Sequence, residues 1–189
     1  MGVPQGSTPY NTVVVENNII SINLAKSCNQ LQELVNNSVG TLNANLAAAT
    51  SQYNAIVATL NQVQTDALNL YNQIAVMAGW QTSQTALNTQ LATAASLTAD
   101  PASIAAYLKL QATAMISVNN ASLATIVKQL LTLNSDYQTL QNDITKLTRQ
   151  VSALESQITQ IPESITQITN AATSAASKFA NCVVSIPSV

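Results

Sequence analysis

From Leu130 onward the apolar side chains of this sequence recur at alternating steps of three and four. They are Leu130, Leu133, Tyr137, Leu140, Ile144, Leu147, Val151, Leu154, Ile158, Ile161, Ile165 and Ile168, continued by Ala172, Ala175, Phe179 and Cys182. An α-helix turns once every 3.6 residues, so this ladder stays on one face over many turns. A heptad sustained beyond three or four repeats predicts a coiled-coil seam. The same register runs backward through Ile126, Leu123, Asn119, Ile116 and Ala112. The first half carries a second ladder from Cys28 through Leu31, Val35, Ser38 and Leu42 to Leu70, Ile74 and Met77. Its step from Leu42 to Leu46 adds a four where a three is due, a stutter that locally relaxes a left-handed supercoil, and Gly40 sits beside it.

Between the ladders stands Thr98-Ala99-Asp100-Pro101. Asp is a good N-cap, and Pro suits the first helical position because its missing N–H would have had no partner there. One helix is thus expected to end near Leu97 and another to start at Pro101, each of about 80 residues or roughly 120 Å if unbroken. The predicted fold is all-α: a long antiparallel coiled-coil hairpin over residues 23–182, turning near 98–101, or an elongated helical bundle. Val57, Leu68, Val76, Val127 and Leu131 widen the apolar stripe beyond a two-residue seam, which asks for more than two helices in contact. Either the helices fold back at Gly79 and near Pro162 into a shorter bundle, or they associate between chains. Pro162 is expected to kink its helix with the same face still buried, with a helix break as the alternative. Trp80 either packs over a bend at Gly79 or anchors a partner or membrane interface.

The ends differ from the middle. Residues 1–22 include the β-branched stretch TVVVENNIISI, and residues 183–189 form a β-prone tail. If the termini meet, these pieces make a small β element; otherwise the N-terminal segment extends the first helix. Cys28 and Cys182 fall on seam positions near that same end, where an antiparallel hairpin brings them together, so they are a candidate disulfide. The other reading is two buried thiols acting as small apolar side chains. A bond implies an oxidising location. Asn119, alone among apolar seam neighbours, either fixes register or sits against a partner Asn or water.

Function classes are narrowed by what the chain lacks. It contains no His, so the commonest general acid–base group is missing. Eight carboxylates lie thinly spread, with no close pair of the sort that separates pKa values. Four glycines offer no phosphate-cradling loop. No catalytic, metal or cofactor site is therefore expected, and the chain is not expected to be an enzyme. Six cations stand singly, without the basic patch that nucleic acid requires. No run is long and apolar enough for a conventional transmembrane helix, and Met1–Gly6 lacks a signal-peptide start.

Charged residues make up only 7% of the chain, so solubility rests on Asn, Gln, Ser and Thr. Neutral polar surfaces approach neighbours without the expense of desolvating charge. The expected function is therefore structural: a coiled-coil rod or bundle that self-associates or cements a virion, filament or surface layer. Its partners are then protein, either copies of itself or assembly neighbours, in an extracellular or virion-associated setting. The alternative is a secreted membrane-active protein resembling α-helical pore-forming toxins, which use long helical hairpins with an apolar tip; here the stretch from Pro101 to Val118 would insert. A surface-active, lipid-binding helical bundle is a third reading.

Overall fold

A computed structural model describes residues 12–96 and 104–188. The described chain is all-helical, with α1 over Thr12–Asn23, α2 over Cys28–Ala95 and α3 over Ile104–Ala176, and no strand occurs among the described residues. The Asp100-Pro101 helix start lies outside them.

Residues 12–23 are helical, and of the two readings of the termini the small β element is not formed among the described residues. The reason lies in its spacing. Val15, Ile19 and Ile22 stand four and three apart and face the core, with Val15 and Ile22 buried. Burial of that helical face outweighs the β preference of branched side chains, which is a weak prior. Nor does this helix run into α2. The chain breaks at Leu24–Ser27, where Gln30 N–H donates to Ser27 Oγ at 3.1 Å and Gln30 Oε1 accepts from Lys26 N–H at 2.8 Å. This exchange supplies two of the N–H groups that a helix start leaves without partners.

Both long helices pass their irregularities without interruption. α2 continues through Gly40 and Gly79, and α3 continues through Pro162. Folding back at Gly79 or Pro162, and a break at Pro162, are therefore excluded. Pro162 is exposed while its neighbour Ile161 is fully buried. Packing of Ile161, Ile165 and Ile168 on one face holds the helix together across a proline that costs about 3 kcal/mol. Trp80, beside Gly79 in the uninterrupted α2, stands 57% exposed.

Contacts divide the chain into two units. The first takes in the chain up to Leu60 and from Lys146 onward; the second is Asn61–Thr145. The first unit packs α1, the start of α2 and the end of α3 as a helical bundle. Ile22, Leu31, Val35, Val39, Ile161 and Ile168 are its fully buried side chains, joined by Ala172 and Ala175. Full burial of such a side chain stabilises by roughly 1.5–3 kcal/mol. Small residues at 172 and 175 leave room for close helix approach at the end that carries the disulfide. Lys178 Nζ donates to Asn23 O at 3.1 Å, placing a cation on the carbonyl end of α1.

After α3, Asn181 adopts φ 57°, a left-handed conformation that Asn tolerates better than most residues. The tail beyond it forms neither helix nor strand and lies against α2. Gln32 treats Ser185 as a strand would: its Nε2 donates to Ser185 O and its Oε1 accepts from Ser185 N–H, both at 2.8 Å. Asn43 Nδ2 donates to Pro187 O at 3.2 Å. Val184 and Ile186 pack on the core while Val183 points outward.

The second unit pairs α2 with α3. Ala67, Met77, Ala112, Asn119 and Ile126 are buried there, and the rings of Tyr71 and Tyr137 lie 6.3 Å apart.

Candidate interaction surface

The seam positions divide by burial. Leu154, Ile161 and Ile168 are buried, whereas Leu130, Leu133, Tyr137, Leu140, Ile144, Leu147, Val151, Ile158 and Ile165 are half-buried; none is exposed. On α2 the ladder from Leu31 to Met77 likewise contains no exposed position. Half-burial means that the seam faces another helix while its flanks stay open to solvent.

Cys28 and Cys182 are disulfide-bonded, with Cα atoms 5.7 Å apart and 154 residues of separation. The bond fixes the root of the tail to the first residue of α2, beside the Ser27 cap.

Asn119 is the buried polar group of the second unit. Its Nδ2 donates to Gln84 O at 2.9 Å and to Asn88 Oδ1 at 2.7 Å, and Asn88 Nδ2 passes the chain on to Asn120 Oδ1 at 2.8 Å. A partner Asn thus satisfies it. Such a relay resists sliding of one helix along the other, because a shift of one turn would leave the buried amide unpaired.

Tyr53 Oη donates to Glu155 Oε1 at 3.2 Å in the first unit. The hydrogen bond to this carboxylate, its negative charge and a little burial all raise the phenol pKa above its ordinary value. The pair is a surface cross-link between helices. Among the described residues no three His, Cys, Asp or Glu side chains group to hold a metal ion. No helix among them is long and apolar enough to cross a membrane.

What stands out is the second unit's apolar flank. Of the positions that widen the stripe, Val57 is half-buried, but Leu68, Val76, Val127 and Leu131 are exposed, Leu131 at 67%. Val76, Met77, Trp80 and Leu133 line a groove of about 770 Å³ between α2 and α3, rimmed by Asn72, Gln73, Lys128 and Thr132. A further depression of about 410 Å³ is lined by Leu87, Leu91, Met115 and Val118. Another of about 480 Å³ has Leu68, Tyr71, Tyr137 and Ile144 in its walls. The grooves themselves were not legible in the sequence; the spread of apolar residues over more than one helical face was their only signal.

No family model matches the sequence, and no curated protein and no solved structure is significantly similar to it.

Proposed function

We propose that this chain is a non-enzymatic structural component that assembles through helix packing between copies or with protein neighbours. In this reading α2 and α3 form an antiparallel coiled-coil hairpin. Contacts within each unit support it: Cys28 meets Cys182 and Tyr53 meets Glu155 in the first, while Tyr71 meets Tyr137 and Asn88 meets Asn120 in the second. Within each unit the numbers rise along one helix as they fall along the other.

The observation that carries the assembly role is the exposed apolar flank of residues 61–145. Val76 and Trp80 stand in solvent in the wall of the 770 Å³ groove, and Val118 and Leu131 stand in solvent elsewhere beside the half-buried seams. Exposed apolar side chains grouped in a groove mark a site of interaction. A virion, filament or surface layer in an oxidising extracellular setting fits the disulfide and the near-absence of charge. Size-exclusion chromatography with light scattering, followed by electron microscopy, tests it. Defined oligomers or ordered assemblies support the reading, and a monomer at every concentration refutes assembly between copies.

A membrane-active role is the second reading, favoured by Tyr107, Leu108, Leu110, Met115 and Val118, all exposed in the first turns of α3. Release of dye from liposomes by the monomeric protein would replace the assembly role with this one.

A further inference from the structure

The 770 Å³ groove of the second unit contains a level about which the charges on α3 are complementary. Val76 of α2 and Thr132 of α3 both line it, and the offset that sets Tyr71 against Tyr137 also sets Val76 against Thr132. On α3, Lys128 lies four residues before Thr132 and Asp136 four residues after it. Residues four apart share a helix face, so the two charges flank the Val76–Thr132 level at equal distances of about 6 Å along the axis, Lys128 in the groove wall and Asp136 just beyond it. Both side chains are exposed, and among the described residues neither has an ionic partner.

We propose that this groove docks onto the same groove of a second copy, about a two-fold axis at the Val76–Thr132 level. A two-fold interface is self-complementary: whatever one copy presents before the axis meets what the other presents after it. Lys128 of each copy then faces Asp136 of the other, so two ion pairs close the ends of the contact. The other described acidic residues of the unit meet no like charge, since Asp143 falls opposite Ala121 and Asp66 opposite Ala86.

Val76 meets its own counterpart at the axis. Trp80, one turn along α2, is carried over the Asn72–Gln73 rim of the second copy, and its exposed ring is the largest apolar group that the contact covers. Aromatic and Met side chains in the centre with charges kept to the rim is the ordinary anatomy of a protein interface. The result is a four-helix contact that covers one flank of the half-buried seam. This inference rests on the assembly reading and names its partner as a second copy.

The test uses the full oxidised chain in a dilution series, read by sedimentation velocity and by the emission and acrylamide quenching of Trp80, the only tryptophan. Association is expected to shift Trp80 emission to the blue and shield it from quencher. Lys128→Asp and Asp136→Lys, each with an unchanged melting curve by circular dichroism, are each expected to weaken dimerisation by about tenfold, since each turns two rim attractions into repulsions. The double variant Lys128→Asp/Asp136→Lys restores the pairs with signs exchanged and is expected to return to the wild-type constant.

Oligomers that ignore both single reversals, or a double variant no better than either single one, overturn this interface while leaving assembly itself standing. A wild-type chain that stays monomeric throughout overturns both this interface and assembly between copies. Blue-shifted Trp80 emission from a monomer on phosphatidylcholine vesicles, without self-association in solution, assigns the groove to a lipid surface and also overturns the proposal.

Discussion

Replacing Cys28 and Cys182 together by alanine removes a cross-link that closes a 154-residue separation. The chain-entropy relation for a loop of that length gives about 5 kcal/mol at 25 °C, because the cross-link deprives the unfolded chain of so many conformations. Little local packing is lost with it, as both residues are only half-buried. The tail keeps its hydrogen bonds at Gln32 and Asn43, and the core around Val35, Val39, Ile161 and Ile168 is untouched. The double-alanine chain is therefore expected to fold, with the same helix content, but to unfold at lower denaturant. With a slope of about 2 kcal/mol/M, the urea midpoint drops by about 2.5 M. The assay is ellipticity at the helix minimum against urea, with wild type and variant at one low protein concentration. A midpoint change of less than about 0.5 M would refute the loop-entropy argument. Loss of helix in the absence of urea would refute the claim that the first unit's core stands without its staple.

The remaining predictions concern single positions. Ile161→Ala and Ile168→Ala, both at sites with no exposure, should each cost about 2–5 kcal/mol in urea unfolding, whereas Leu131→Ala should change stability by less than about 0.5 kcal/mol in the monomer. An added Cβ at Gly40 or Gly79 meets nothing within 4 Å, so Gly→Ala at either should stabilise by about 0.5–1 kcal/mol, seen as a raised melting temperature. The raised phenol pKa of Tyr53 means that the folded chain holds this proton more tightly than the unfolded one. Its contribution is therefore complete below the ordinary phenol value and declines as pH rises through the folded pKa. Ultraviolet titration of Glu155→Gln should show one tyrosine ionising at lower pH than in wild type; an unchanged titration would contradict the assignment of the shift to Glu155.

Much of the fold was legible because one periodicity dominates the sequence. The three-four ladder marked the faces that α2 and α3 bury, and the seam placement of Cys28 and Cys182 pointed to their bond. Three features escaped for separate physical reasons. Residues 12–23 carry β-branched side chains, yet the spacing of Val15, Ile19 and Ile22 was already helical and burial decided the outcome. The break before α2 had a signal in Ser27 followed three residues later by Gln30, a pattern that supplies partners for N–H groups at a helix start. Gly79 and Pro162 suggested points where the helices could fold back, but a glycine in a long helix costs only about 1 kcal/mol and the packing around Ile161 holds α3 through the proline. The grooves of the second unit depend on how far two helices leave their flanks uncovered. Spacing along a single chain does not contain that information.

Amide hydrogen exchange at low and high protein concentration tests the central claim most directly, because it reads both units at once. Amides around Leu31–Leu42 and Ile161–Ala175 should be strongly protected at either concentration, since their side chains are already enclosed within one chain. Amides of residues 61–145 should exchange faster in the dilute protein and slow markedly as concentration rises and neighbouring helices cover the open flank. Exchange in residues 61–145 that is independent of concentration would contradict the account.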